Sequence, residues 1–461
     1  MIPDLLSYDV AIVGGGASGT LTALNLLALS PGPLRVAIWD RAGRFGQGVA
    51  YSTVEPGHRL NVPAKGMGAW PDQPTHFLEW LRSGGATVSE GDFVPRERYG
   101  TYLRELFERA VAEHRPGCAL VPVSEAMGEV EMATGGIEGR LASGERWQAR
   151  ALVLALGNQL PANLRIPDHG VYASTAYHRS PWNPGALSGL PVDAPVLLLG
   201  TGLTSVDVVV SLRTAGHRGP IHVLSRRGLW PKPHCAFTAL SDGWKPPLTG
   251  GLRPLLCAVR ERISQGRPAE DWRAVIDALR PWSQQLWSGL SLTDQRRFIR
   301  HLRPYWDVHR HRVAPEPGEV VATLQSQGTI STHAGRLLEL RPMGGGVEAI
   351  FRPRGELSPQ ILQISRVINC TGPSTLATGA PTPLAGLLKR GEAVLDPHAQ
   401  GLRASPDGAL LNAQGEPSGK LFTLGPLRRG ELWETTAVPE IRLQAQVLTR
   451  ALLGLQAVPT L

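Results

Sequence analysis

The sequence predicts an α/β chain of two Rossmann-like dinucleotide-binding domains, each with a small antiparallel β meander, plus a helical insertion. Three observations predict it. An apolar strand pattern runs into a glycine-rich turn and then a helical pattern twice, at YDVAIVGGGASG (8–19) and at PVLLLGTGLTSVD (195–207). Each of these units continues into alternating segments punctuated by glycine turns. Each then closes on a further apolar strand stopped by glycine, so the same architecture recurs with little residue identity.

In the first unit, Val10, Ala11, Ile12 and Val13 form the continuous apolar run of a parallel strand covered on both faces. Gly14, Gly16 and Gly19 follow at G-x-G-x-x-G spacing, and Leu21, Leu24, Leu26 and Leu27 then take helical spacing. Strand, glycine turn and helix together raise this motif above chance. The first glycine permits the tight turn, the second lets a pyrophosphate approach the backbone, and the third lets helix and strand pack closely. The helix N-terminus offers unpaired N–H groups and positive dipole to phosphate. A second strand, 35–39, ends in Asp40, placed about 20 residues on, where an acid accepts hydrogen bonds from a ribose.

The segment after Asp40 is punctuated by glycine and proline and carries Arg44, Gln47, Asn61 and Lys65, polar groups leaving the nucleotide fold. Phe77, Trp80 and Leu81, and then Tyr102, Leu103, Leu106 and Phe107, have helix spacing and read as packing. Alternation at 121–123, 130–132 and 140–141 suggests the first antiparallel meander. The run ALVLAL (151–156) reads as a buried strand stopped by Gly157.

The second unit repeats these features with Gly200, Gly202 and Ser205 in the turn. Its next strand, 221–224, ends in Ser225–Arg226–Arg227 rather than an acid. Arginine at that place accommodates a ribose 2′-phosphate and favours NADP over NAD. A meander pattern returns at 329–340 and 347–351, and a strand at 367–369 ends in Cys370–Thr371–Gly372. Within this unit lies an insertion of helical and proline-rich character, about 244–320, with Trp272, Trp282, Trp287, Trp306 and the polar run RFIRHLRPYWDVHRHR. The chain closes with a strand at 421–424, Gly425, and a helix from near Pro439, a segment able to return to the first domain and cover its cofactor. The expected domains are therefore 1–190 with 366–461, and 191–365 carrying the insertion.

Composition narrows the class. A chain of 461 residues is too long for a single core. No apolar run approaches the roughly 18–20 residues of a membrane span, and the first residues lead directly into a strand without signal-peptide character. A cytoplasmic protein with no membrane partner is expected. The net charge of +8 is dispersed, which argues against a nucleic-acid partner and suits anionic cofactors. The four cysteines are scattered without a C-x-x-C, which weighs against a disulfide framework, a zinc site or a dithiol oxidoreductase. No metal is expected.

Taken together, GRFGQGVAY with LNVPA, GTGLTSVD, WDVHRHR, VINCTGP and GPLRRGELWETTAVPEIR resemble a bacterial family of FAD/NAD(P)-binding flavoproteins. That family includes an FAD-dependent urate hydroxylase and an aspartate N-monooxygenase, and the resemblance covers nearly the whole chain. It implies FAD at Gly14, Gly16, Ser18, Gly19, Asp40, Arg41, Val123 and Gly157, with Gln47, Asn61, Gly425, Glu434 and Thr435 close to the flavin. It implies NADPH at Gly200, Gly202, Thr204, Ser205, Ser225, Arg226 and Arg227. Tyr172, Ser174, His178 and Trp182 fall at the spacing of a flavin-monooxygenase fingerprint, with Tyr for Phe and Ser for Gly, so His178 joins the NADPH candidates.

The leading expectation is an FAD- and NADPH-dependent monooxygenase that uses molecular oxygen on a small, nitrogen-containing, anionic metabolite such as a purine or amino acid. Trp306, His309, Arg310, His311 and Arg312 are its candidates for the substrate side, since alternating histidine and arginine can orient an anion. A polar helix face pairing with Asp307 and Glu316 explains the same residues. Two other functions stay open: an NADPH dehydrogenase passing electrons to a quinone or protein, and a non-catalytic flavin-binding redox sensor.

Overall fold

The computed structural model describes residues 5–113, 115–265 and 271–456. Contacts divide the chain into two units, Met1–Val54 with Val62–Gln159 and Thr375–Leu461, and Glu55–Asn61 with Leu160–Ser374. Residues 160–190 and 366–374, expected in the first domain, thus fall in the second unit. The reason is strand pairing, because the strands at 177–178 and 366–369 join the second sheet.

The first unit opens with β1 (Leu6–Val13), α1 (Ala17–Leu29) and β2 (Leu34–Trp39). Residues Ser18 to Leu26 of α1 are all buried, so this helix is covered around its whole circumference, and its polar members Thr20, Thr22 and Asn25 donate to backbone carbonyls. A helical turn α2 (Gly48–Tyr51), α3 (His76–Ser83) and α4 (Arg96–Ala112) follow. The apolar spacing of 77–81 and 102–107 thus falls on α3 and α4, and Phe77, Tyr99 and Tyr102 pack there as a fully buried aromatic cluster. Next come β3 (Cys118–Val123), β4 (Met127–Ala133), β5 (Gly136–Leu141) and β6 (Arg146–Leu154). The meander consists of β4, β5 and the start of β6. The expectation that it includes 121–123 is corrected: β3 pairs in parallel with β2 as a strand of the main sheet. Alternation alone does not distinguish an edge strand of a parallel sheet from a meander strand.

The second unit contains β7 (Tyr177–His178), β8 (Val196–Leu199), α5 (Leu203–Thr214) and β9 (Ile221–Ser225). Its insertion is helical: α6 (Leu252–Ser264), α7 (Trp272–Ala278), α8 (Ser283–Gly289), α9 (Leu292–Arg297), α10 (Arg303–Arg310) and α11 (Pro315–Ser326). Strands β10 (Ile330–Met343), β11 (Gly346–Pro353), β12 (Gln360–Ile364) and β13 (Arg366–Asn369) complete a seven-stranded sheet in the order β12-β11-β10-β9-β8-β13-β7. The long β10 serves twice. Its first residues pair in parallel with β9, and its second half forms an antiparallel meander with β11 and β12.

The chain returns to the first unit through α12 (Leu384–Lys389), β14 (Ala409–Leu411), β15 (Pro417–Thr423), the helical turn α13 (Arg429–Leu432) and α14 (Val438–Leu452). Strand β15 pairs in parallel with β6, and the main order of the eight-stranded sheet is β14-β15-β6-β1-β2-β3. Trp39 and Trp147, both essentially buried, meet at 5.1 Å with their rings tilted by 38° in the core beside Tyr8 and Leu152. Removing apolar surface of this size from water supplies the main stabilisation.

Candidate dinucleotide sites

The two glycine turns are built alike. Gly14 has φ +112 and donates its N–H to the Trp39 carbonyl at 2.8 Å, while Gly200 has φ +113 and donates to the Leu224 carbonyl at 2.8 Å. A Cβ on Gly14 would lie 2.2 Å from the Ala155 oxygen, and one on Gly200 would lie 2.6 Å from the Cys370 oxygen. Both positions exclude a side chain twice over, by conformation and by contact. The strand that crowds each turn then ends at a glycine of positive φ, Gly157 and Gly372.

The third motif position shows how the two turns differ. A Cβ on Gly19 would lie 1.9 Å from the Gly14 oxygen. The second turn is opened enough to take Ser205, whose Oγ donates to the Gly200 carbonyl at 2.7 Å. The middle position is the informative one for a ligand. A Cβ on Gly202 would meet nothing within 4 Å, and its backbone at φ −82 suits any residue. Among the described residues nothing demands glycine there. A phosphate lying against the bare backbone would.

Each turn leads into a helix whose N-cap is that middle glycine, Gly16 before α1 and Gly202 before α5, without a side-chain cap. The first N–H groups of both helices are thus left for an anion. Thr204 lies in the first turn of α5, beside these groups.

Around the first turn, Asp40 at the end of β2 accepts the Gly15 N–H at 3.3 Å and the N–H groups of Ala42 and Arg44 at 2.9 and 3.2 Å. This fixes a half-buried carboxylate at the strand end, where a ribose would lie. Gly15, a position the consensus leaves open, is a residue that the motif reading missed. Its Cβ would lie 2.7 Å from that of Asp40, and its carbonyl accepts the Gly46 N–H at 2.8 Å. The signal was present as a third consecutive glycine. Gln47 and Gly48 follow at the start of α2, and Gly48 packs on Gly16. Arg41 is exposed, and Val123 ends β3 with its carbonyl accepting the Asp40 N–H at 3.1 Å.

The returning segment closes on this turn. Gly425 has φ +69, and its Cβ would lie 2.8 Å from the Ser18 hydroxyl oxygen of α1. Both of its backbone groups are tied down: the N–H donates to Gln444 at 2.9 Å, and the carbonyl accepts the Thr435 hydroxyl at 3.0 Å. Gln444 also donates to Thr435 at 2.8 Å, closing a buried ring of hydrogen bonds. Glu434 is buried beside it. Gln444 and Arg442 were not foreseen; the latter donates to the Gly66 and Gly68 carbonyls at 3.2 and 3.0 Å. On an amphipathic helix, nothing in sequence separates such residues from ordinary polar positions. Asn61 belongs to the other unit, where its carbonyl accepts from His234 at 3.2 Å.

At the second strand end, Ser225 Oγ accepts the Gly228 N–H at 2.9 Å and the Thr201 hydroxyl at 3.0 Å. Arg226 is exposed, while Arg227 donates to the Tyr305 hydroxyl at 3.0 Å. His178 sits on β7 in register with Ile368, and its buried Nε2 has no hydrogen-bond partner among the described residues. Burial is the main reason that its ring is held below the ordinary histidine value.

The substrate-side candidates do not converge. On α10, His309 Nδ1 donates to the Tyr305 carbonyl at 2.7 Å and its ring packs edge-on to Trp272. Asp307 pairs with Arg303 at 3.3 Å and with His311 at 3.6 Å, and Trp306 packs on Phe298. Arg310 is half-buried. Arg312 is 3% exposed, ion-paired with Asp277 and set against Phe237. Glu316 pairs with Arg59. Helical geometry turns neighbours in this run to different sides, and Arg312 is a buried structural cation.

The architecture is that of the two-dinucleotide-domain flavoproteins. Residues 11–159 match the family model described as FAD-NAD(P)-binding, and the chain carries an FAD/NAD(P)-binding domain there. Among solved structures, the chain is similar to ornithine hydroxylase (PvdA) from Pseudomonas aeruginosa, at a TM-score of 0.65 and 16% identity, covering 97% of this chain and 99% of that one. L-Lysine 6-monooxygenase from Pseudomonas syringae gives 0.65 at 17% identity, covering 96% and 99%. A bacillithiol disulfide reductase from Bacillus cereus gives 0.55 at 15% identity, covering 97% and 99%. Among curated proteins, a Baeyer-Villiger monooxygenase (ATR8) from Stachybotrys chlorohalonatus is 27% identical over 220 residues, 44% of this chain. The chain spans about a third, 31%, of that relative's length.

Proposed function

We propose that the protein is an FAD- and NADPH-dependent monooxygenase acting with molecular oxygen on a small nitrogen-containing metabolite in the cytoplasm. The observation that carries this reading is the pair of matched glycine turns with opposite strand ends, Asp40 in one and Ser225–Arg226–Arg227 in the other. An acid accepts the hydroxyls of a ribose, whereas arginine pairs with a 2′-phosphate. The first turn thus takes FAD and the second NADPH, and the bare Gly202 backbone fits a pyrophosphate. No helix among the described residues is long and apolar enough to cross a membrane.

When bound, a flavin relays electrons from a nicotinamide to oxygen, which is the chemistry that such enzymes turn to hydroxylation. The residues of this chain bind and orient. The N-termini of α1 and α5 hold phosphate, Asp40 holds a ribose, and the Gly425 turn, fixed by Gln444 and Thr435, covers the first site and excludes water from it. Solved structures of this fold include enzymes named for the amino acids ornithine and lysine, and this supports an amine or amino-acid substrate. The disulfide reductase of the same fold supports a different use of these two sites, but the thiols here do not favour it. Cys370, at the end of β13, is buried and its thiol is pushed up to about 12, so it stays protonated.

Purified, FAD-loaded protein should be assayed for NADPH oxidation, oxygen uptake and hydrogen peroxide release against amino acids, diamines, purines and aromatic acids. A compound that raises NADPH oxidation and is recovered with one added oxygen atom supports the proposal. NADPH oxidation that proceeds with quinone or protein acceptors and yields no oxygenated product would establish a dehydrogenase instead. Tight FAD binding without NADPH turnover in any condition would establish a sensor.

A further inference from the structure

The helical insertion contributes one side chain to the second strand end. We propose that Tyr305, on α10, is a positioning residue that holds Arg227 ready for the 2′-phosphate of NADPH. The insertion thereby becomes part of the device that selects NADPH over NADH. This rests on the reading that residues 200–227 take that nucleotide.

Three constraints meet at Arg227. The turn that carries it is locked by Ser225, which accepts from Gly228 and from Thr201 of the glycine turn. Its guanidinium carbon lies 4.9 Å from the centroid of the Tyr305 ring, and its Nη1 donates to the Tyr305 hydroxyl at 3.0 Å. Tyr305 is anchored in turn, because its carbonyl accepts His309 Nδ1 at 2.7 Å while the His309 ring packs edge-on to Trp272 at 4.8 Å.

The arrangement suits recognition rather than packing. Tyr305 is 42% exposed, so its ring does not serve to fill a core. With Nη1 engaged, the Nε–Nη2 edge of Arg227 makes no hydrogen bond among the described residues. That edge is the planar fork that matches two phosphate oxygens. Fixing a long arginine side chain before the ligand arrives removes much of the ordering cost of binding. Arg226, exposed beside it, has no such support among the described residues.

The test compares two probes that differ in the 2′-phosphate, 2′,5′-ADP and 5′-AMP, by titration calorimetry on the full-length protein. Wild type should bind 2′,5′-ADP more tightly. Tyr305→Ala should reduce that preference by about 5–10-fold with 5′-AMP affinity unchanged, and Tyr305→Phe, which keeps the ring, by about 2–3-fold. Arg227→Ala should abolish it. The ratio of kcat/KM for NADPH to that for NADH should fall in the same order. If Tyr305→Ala keeps the wild-type preference, or loses affinity for both probes equally, the role of Tyr305 is refuted while the nucleotide site stands. If wild type shows no preference for 2′,5′-ADP, the NADPH reading itself fails, and this proposal with it.

Discussion

Single residues separate two reasons for a motif glycine. Gly14 is demanded by the fold, since a methyl group there would face the Ala155 oxygen at 2.2 Å from a backbone of φ +112. Gly14→Ala should unfold the first unit or lower its stability by more than about 3 kcal/mol, seen as a lost or shifted thermal transition. Gly202 faces open space at φ −82. Gly202→Ala should stay within about 1 kcal/mol of wild-type stability yet bind 2′,5′-ADP at least about 10-fold more weakly, measured by melting and calorimetry on one preparation. If the affinity is unchanged, the pyrophosphate does not lie there. The motif gives its first and second glycines these different roles, but a spacing pattern does not show what each one faces.

At the scale of elements, strand, turn and helix were legible because their signals are local. The apolar runs of β1, β8 and β13, and the glycines after them, predict buried parallel strands ending at a ligand. What was not legible is how separate elements meet. The lid turn is an example: Gly425 rests on Ser18 of α1 only because β15 joins β6, bringing α14 alongside. Gln444→Leu should leave the buried Gly425 N–H unpaired, at a cost of about 1–3 kcal/mol. It should also release FAD, read as a lower flavin absorbance per protein after gel filtration. Full retention of FAD would separate the Gly425 turn from the cofactor. The substrate-side run shows the converse. Four residues close in sequence on α10 and just beyond it, Trp306, His309, His311 and Arg312, turn to Phe298, Trp272, Asp307 and Asp277, because each helical position advances by about 100°.

For the whole molecule, the buried titratable groups set how stability depends on pH. Burial holds the rings of His76, His178, His217, His222, His234 and His333 below their ordinary value, His234 to about 4. Facing His234 are Arg312 and Arg273, which lower it further, and Asp277, which opposes them. Between pH 6.5 and 4 the unfolded chain binds a proton at this position that the folded protein does not. Its contribution is therefore fully present above pH 6.5 and is lost as pH falls toward 4. Asp396 and Glu431, raised by burial, act in the opposite sense, since the folded protein favours their protonated forms. With six such histidines against these two carboxyls among the described residues, the melting temperature should fall from pH 7 to pH 5. His234→Gln should flatten that slope. A slope unchanged in this variant would place the acid sensitivity elsewhere.

By itself the sequence determined the α/β class, the duplication, the two glycine turns and the opposite character of their strand ends. Each of these signals is local, resting on runs of residues within about 30 positions, where backbone conformation and periodicity act directly, and the duplication is the same local pattern read twice. The tertiary structure decided the rest: that residues 160–190 belong with the second unit, that Ser18 lies under Gly425, that Arg312 is a buried counter-ion, and that Tyr305 reaches Arg227. Those outcomes follow from strand order and helix packing, which bring together residues far apart in the chain. No local pattern encodes such meetings, because each side of the contact would look the same without the other.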